Sequence, residues 1–151
     1  MGSRTRRYAV SDTAQQLVGG FLLAGPFVVT EEVWVLARSM SVAQTLLTVA
    51  IVFVVGYGAL YKADDDRDPD RESDVAGVPL RFVSLILVSY LSVFILAMAF
   101  DAPTTFVPRL GAPVVVGSVT VYPVVAAVTV KAVNVGAIFS VIGAATADSI
   151  Y

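Results

Sequence analysis

The sequence predicts an all-α membrane protein with four transmembrane helices and with both termini in the cytoplasm. The first observation is composition, since 57% of the 151 residues are hydrophobic and 15% are charged, whereas a soluble domain has about 25% charged residues. The second is that the apolar residues form stretches of the length that a helix needs to cross a bilayer. The third is that basic residues concentrate in the segments that this topology places inside. We therefore expect one transmembrane domain, residues 1–151.

The first predicted span, residues 13–37, contains two adjacent carboxylates, Glu31 and Glu32, in its outer third. Gly25-Pro26 predicts a kink within it, because proline has no N–H to donate to the carbonyl four residues back. A charged side chain in hydrocarbon costs roughly 2.5–3.5 kcal/mol on insertion scales. We therefore expect these glutamates to face a protein interior or a hydrated cavity.

The second and third spans are predicted at residues 42–61 and 80–100. Ser41 can cap the second span, and Pro79 opens the third, where proline is well tolerated. Between them lies a cytoplasmic linker, residues 62–78, with seven carboxylates. Such a run of like charges is typical of a solvated, flexible loop, and an acidic surface is also consistent with a salt-rich cytoplasm.

The conformation of residues 113–130 is open at the level of sequence. This segment is rich in valine and threonine, and it contains Pro123. One interpretation is a single long, tilted or kinked helix over residues 119–148. The other is an extended or re-entrant segment at the outer surface, followed by a fourth span from about Val128. A fifth span is not expected, because residues 131–134 offer no strong turn signal.

The basic residues near the spans predict the orientation. Only Arg38 and Arg109 fall in the outer loops. The inner segments contain Arg4, Arg6, Arg7, Lys62, Arg67, Arg71 and Arg81. Because positive residues are enriched on the cytoplasmic side, we expect a multi-pass protein of the cell membrane.

Lys131 on the last span can reach the depth of Glu31 and Glu32 in this topology. Consecutive helix positions point about 100° apart, so one glutamate can pair with Lys131 while the other faces a cavity, a subunit interface or the headgroups. The functional interpretation is an ion or proton pathway through these residues and Asn134. The structural alternative is an ion pair that fixes the register of the helices.

Small residues recur at four-residue spacing on the last span, as Gly136 with Ser140 and Gly143 with Ala147. Such a face allows close approach of helices and is typical of helix or subunit packing, to which Asn134 adds an amide that seeks a partner. Four short helices barely enclose their own polar residues. We therefore expect a homo-oligomer.

The chain contains no cysteine and no histidine, which excludes disulfides, thiolate nucleophiles and zinc sites of the Cys/His type. No phosphate-binding, nucleophile-elbow or dinucleotide motif is present. We therefore expect no enzymatic activity, no metal site and no cofactor. The expected partners are membrane lipids, further copies of the chain and a membrane protein, and no nucleic acid.

The segment GGFLLAGPFVVTEEVW, the acidic linker and the closing IGAATADSI resemble a family of integral membrane proteins of unknown function from halophilic archaea and some bacteria. The residues that carry the resemblance are Gly25, Pro26, Thr30, Glu32, Trp34, Gly143 and Ala144. The resemblance implies four spans and an archaeal cell membrane, and it implies no mechanism.

Two functional hypotheses follow. The leading one is a small ion-conducting or transport-related homo-oligomer with Glu31, Glu32 and Lys131 as its polar sites. The competing one is a non-conducting structural or accessory protein that packs against a partner or lipids.

Overall fold

The last helix, α6, is the element against which the other long helices pack in the computed structural model, which describes residues 10–62, 74–75 and 77–150. The helices are α1 (Val10–Val28), α2 (Glu31–Ser39), α3 (Val42–Tyr57), α4 (Leu80–Ala99), α5 (Ala102–Phe106) and α6 (Pro123–Ile150). Two antiparallel hairpins are formed by β1 (Asp74–Val75) with β2 (Val78–Pro79) and by β3 (Val114–Val116) with β4 (Val119–Val121). Most of the predicted acidic linker lies outside the described residues.

The two ends of the bundle differ in structure. One end, here called the hairpin end, contains α5 and the β3–β4 hairpin. At the opposite end, here called the terminal end, α1 and α4 begin and α6 finishes. Within the described residues three stretches are long and apolar enough to cross a membrane, namely Val42–Tyr61, Leu80–Ala99 and Pro123–Asp148. α1 and α2 meet the same criterion only when the bent pair is taken together, which makes the number of candidate spans three or four.

The first predicted span is not one continuous helix. The chain breaks between α1 and α2, whose axes differ by 80°. Pro26 lies in the last turns of α1, where it leaves one backbone carbonyl without its helical donor. Thr30 then closes a turn, because its backbone N–H and its hydroxyl both donate to the Phe27 carbonyl, at 3.2 and 2.8 Å. The predicted kink therefore becomes a break a few residues further on.

Trp34 holds α2 in place after this break. It is fully buried, and its indole Nε1 donates to the Val28 carbonyl at 2.9 Å. Its ring stacks on Phe106 of α5 with centroids 6.1 Å apart. Because Val33 and Ala37 are buried on the same face, α2 is an amphipathic helix that lies across the hairpin end.

The second span begins as its sequence predicts. Ser41 accepts a hydrogen bond from the Gln44 N–H, and the Gln44 side chain accepts one from the Ser41 N–H, so the two residues form a capping box. α3 continues as a π-helical turn, Gly58–Lys62. α4 then starts directly after Pro79.

Residues 114–121 form a hairpin, and α6 begins at Pro123 rather than at residue 119 or at about Val128. Valine and threonine favour extended backbone, and Gly117 supplies the positive φ, 62°, that the tight turn requires. Val114 pairs with Val121 and Val116 with Val119. Pro123 stands at the first helical position, where its fixed φ suits the helix and its missing N–H costs nothing.

Candidate functional site

Glu31 and Glu32 lie on the surface of the bundle, in the first turn of α2, and both are exposed. They lie directly after the 80° break between α1 and α2. Carboxylates in the first turn of a helix are stabilised by the partial positive charge of its N-terminus. Their position therefore has a local electrostatic explanation.

Lys131 is held by backbone instead of by these glutamates. Its Nζ donates to the Met40 carbonyl at 2.7 Å, directly after the last turn of α2. A helix C-terminus has carbonyls without helical donors and a partial negative charge, and a lysine satisfies both. Within the described part of the chain, Lys131 makes no ion pair with either glutamate. The expected pair is replaced by a contact at the other end of the same short helix.

A buried ion pair does occur, at the terminal end, between residues that the sequence analysis did not pair. Arg81 of α4 donates through Nη1 to the Asp148 carboxylate of α6, at 2.8 Å to Oδ1 and 3.0 Å to Oδ2. Its Nη2 donates to Asp12 Oδ2 at 3.1 Å. The side chains of Arg81 and Asp148 are 7% and 0% exposed. One guanidinium therefore joins three helices, α1, α4 and α6.

Gln16 extends this network along α1. It is fully buried, and its Nε2 donates to Asp148 Oδ2 at 3.2 Å. Ser84 on α4 donates through Oγ to Gln16 Oε1 at 2.7 Å. The sequence signal for this network is that Gln16, Arg81 and Asp148 are polar residues just inside the ends of apolar spans, where an unpaired group would be costly. Which of them meet depends on how the helices are arranged.

The small residues of α6 pack against other helices of the same chain. Gly143 lies against the backbone of Gly19, so a Cβ on either glycine would collide with the other residue. A Cβ on Gly20 would lie 2.8 Å from Ser140 Oγ, and one on Gly136 would lie 2.6 Å from Val93 Cγ1. Ala147 also borders Gly19. The face predicted for helix or subunit contacts is thus covered by α1 and α4.

A cavity of about 860 Å³ opens at the hairpin end, between α4, α5, β4 and α6. Its walls are mainly apolar. Asn134, the fourth predicted polar candidate, lines it and is 4% exposed. Tyr90 lines it from α4, and Arg109 lies on its wall between α5 and β3. The predicted residues therefore divide among the surface, the α2 C-terminus and this cavity.

Comparison of the sequence with known families supplies the decisive observation about the class of protein. The family described as "Putative integral membrane protein (DUF2391)" matches residues 2–101. The chain belongs to this family. The match confirms the resemblance to an uncharacterised family of integral membrane proteins, and it covers α1 to α4, including both glutamates and Arg81. No curated protein and no solved structure matches the chain.

Membership of an integral membrane protein family defines the medium around the bundle. Large apolar side chains are exposed along the spans, among them Leu22 on α1, Leu46 on α3 and Leu87 on α4. In water such surfaces would mark sites of association, but in a bilayer they face lipid. The buried Arg81–Asp148 pair accordingly lies within a membrane protein, where an unpaired charge is strongly disfavoured.

Proposed function

We propose that the protein is a non-conducting structural or accessory protein of the cell membrane, which acts through the lipids or the membrane protein that it packs against. The observation that carries the proposal is the closure of the α1–α6 interface. Gly19 and Gly143 bring the two backbones into direct contact, and Ser140 fills the space beside Gly20. A helix interface packed in this way is suited to holding a fixed shape.

Five charged side chains support the same proposal, because each has a structural role within a single chain. Lys131 stabilises the end of α2, and Arg81 with Asp148 fastens α4 to α6. Glu31 and Glu32 stabilise the start of α2 from the surface. No catalytic role is part of the proposal.

The topology that we propose has four spans, with α1 and α2 counted as one, and cytoplasmic termini. The distribution of basic residues supports it. Because the chain has no cysteine, Ser11→Cys and Ser118→Cys each introduce a unique thiol. In intact cells, a membrane-impermeant maleimide should label Ser118→Cys at once and Ser11→Cys only after permeabilisation. The reverse pattern would invert the topology.

A second candidate is an ion-conducting or transport-related homo-oligomer, and one observation favours it. Both exposed carboxylates lie at the same end of the bundle, so copies arranged around an axis would bring Glu31 and Glu32 together at the mouth of a shared pathway. Carboxylate rings of this kind select cations. The acidic linker and the family resemblance also support a halophilic archaeal source, so that this pathway would work in concentrated salt.

Ion flux in proteoliposomes tests the two candidates against each other. The purified protein is reconstituted with Na⁺, K⁺ and proton gradients, at low and at molar salt, beside protein-free liposomes and liposomes with an ionophore. The non-conducting proposal predicts flux equal to that of the protein-free liposomes. If the protein produces ion flux, and if the double variant Glu31→Gln/Glu32→Gln reduces that flux while its assembly stays intact, the non-conducting proposal is wrong. The second candidate then replaces it.

A further inference from the structure

The β3–β4 hairpin has one edge that faces away from the bundle. Residues 108–120 are all exposed. β4 lines the cavity beside α4 and α6, whereas β3 lies on the other side of the hairpin, and its three valines are 51–67% exposed. An uncharged edge strand of β-branched residues is a template for pairing with another strand.

The turn of the hairpin determines which backbone groups on this edge are unpaired. A two-residue turn joins the strands, with its positive φ at Gly117. In such a hairpin the residues that flank the turn, Val116 and Val119, form a hydrogen-bonded pair, and the pairs then alternate along the ladder. The next pair, Val115 with Thr120, is therefore not hydrogen-bonded within the hairpin. Val115 directs its backbone N–H and C=O outwards, on the free edge.

The height of the hairpin follows from the register between α4 and α6. Arg81 of α4 pairs with Asp148 of α6. Twelve residues further along both helices, Val93 contacts Gly136. Because the two antiparallel helices have the same rise per residue, they advance in step from the terminal end towards the hairpin end.

The surplus length of α6 therefore lies at the hairpin end. Ala99, the last residue of α4, is level with Val130, and residues 123–129 of α6 continue for about 10 Å beyond it. The exposed Asp101 follows α4 directly and marks the end of the hydrocarbon, where a carboxylate is costly. The headgroup layer is only about 5–7 Å thick on each side. The hairpin thus joins α6 outside the hydrocarbon, where lipid tails do not cover its valines.

The charges at the hairpin end suit a second copy of the chain. The exposed anions there are Glu31, Glu32 and Asp101, and the exposed cations are Arg38 and Arg109. None of the five makes an ion pair among the described residues. A surface with unpaired charges of both signs can complement itself, as the contact of two identical subunits around a twofold axis requires. Copies in the same membrane also present their β3 edges at the same height.

We infer that two copies of the chain join through the β3 edges of their hairpins and form a four-stranded antiparallel sheet outside the hydrocarbon. Around a twofold axis, Val115 of one copy lies opposite Val115 of the other, and the two residues exchange both backbone hydrogen bonds. Main-chain bonds of this kind supply the affinity in strand addition generally. The inference does not depend on whether the protein conducts ions.

Disulfide formation tests this pairing, because the chain has no cysteine. Val115→Cys places a thiol on the β3 edge, and Thr120→Cys, the matched control, places one at the same level on the β4 edge. Opposed residues of a hydrogen-bonded pair have Cα atoms about 5.5 Å apart, which a disulfide can bridge. Under mild oxidation in native membranes and in liposomes, Val115→Cys should form a crosslinked dimer at least about tenfold faster than Thr120→Cys, since only the paired position holds two thiols in this geometry.

Proline variants test the backbone bonds themselves. Val115→Pro removes the outward N–H of the β3 edge and no bond of the hairpin ladder, a position where proline is tolerated. Thr120→Pro does the same on the β4 edge and is its control. Association is followed in liposomes by energy transfer between copies labelled at Ser118→Cys. We expect Val115→Pro to weaken association about tenfold or more, because both hydrogen bonds are lost, and Thr120→Pro to leave it unchanged.

Three results would overturn the inference. One is an equal crosslinking rate at Val115→Cys and Thr120→Cys, or a rate that falls in proportion as the protein is diluted in lipid, which indicates random collision. Another is a Val115→Cys that stays monomeric and resists a water-soluble maleimide, which places the edge in lipid. The third is a crosslink to a different protein in native membranes without a dimer in liposomes. Circular dichroism and the Tm establish that each variant is folded, and the cysteine variants maintain the test if a proline variant is not.

Discussion

The contact between α1 and α6 at Gly19 leads to a quantitative prediction. Alanine normally favours a helix over glycine by about 0.8–1.0 kcal/mol. At Gly19, however, the added Cβ would lie 2.6 Å from the Ala147 Cβ and would collide with the Gly143 carbonyl oxygen. Overpacking of this kind costs typically 1–3 kcal/mol. We therefore expect Gly19→Ala to lower the free energy of unfolding by up to about 2 kcal/mol, the difference that remains after the gain in helix propensity.

Gly25→Ala is the control on the same helix. There the nearest atom to the added Cβ is Leu96 Cδ1, at 3.7 Å, so we expect unchanged or slightly higher stability. The assay is unfolding by SDS in mixed micelles, followed by the fluorescence of Trp34 and by helix content. If Gly19→Ala proves as stable as Gly25→Ala, the backbones of α1 and α6 are not in contact in the folded protein, and the closure that supports our functional proposal is refuted.

The same unfolding assay tests the polar contacts. Arg81→Met should cost about 3–5 kcal/mol, because it leaves the buried Asp148 carboxylate without this guanidinium. Asp148→Asn should cost less, because Arg81 keeps its ion pair with Asp12. The double variant should lose less than the sum of the two, and strictly additive losses would contradict direct coupling. Lys131→Met should cost about 1–3 kcal/mol through the lost bond to the α2 C-terminus. Glu31→Gln and Glu32→Gln should each cost no more than about 1 kcal/mol, and a loss as large as that of Lys131→Met would argue that the glutamates are buried.

Two of the spans could be predicted almost to the residue. The second and the third predicted span are each an uninterrupted apolar stretch. Ser41 and Pro79 are recognisable start signals for them, and α3 and α4 begin directly after these two residues. The first span was harder. Its apolar length is sufficient for one helix, but the chain breaks after Val28, where the backbone N–H and the hydroxyl of Thr30 both donate to the Phe27 carbonyl. Local hydrogen bonds of this kind are not visible in hydropathy.

The pairing of distant residues could not be predicted from one sequence. Arg81 and Asp148 are 67 positions apart, and their contact depends on the relative rotation of α4 and α6. The small-residue spacing of α6 predicted a face for close helix packing. It could not distinguish a neighbouring helix of the same chain from a second copy, because both demand the same small side chains. The valine-rich hairpin was ambiguous because Val and Thr occur in both buried helices and strands.

The length of α6 has a consequence for the membrane itself. At 28 residues it extends about 42 Å, whereas the 20-residue α4 extends about 30 Å, close to the hydrocarbon thickness of an average bilayer. Because the other long helices pack against α6, the longest helix lies among shorter ones, and it fits a bilayer of that thickness when it is tilted or when its ends lie beyond the hydrocarbon. The bilayer can adapt by local thickening beside α6, or the bundle can tilt, and both cost free energy that grows with each ångström of mismatch. The tilt of α6 in the bilayer is therefore set by its packing against the other helices of the bundle.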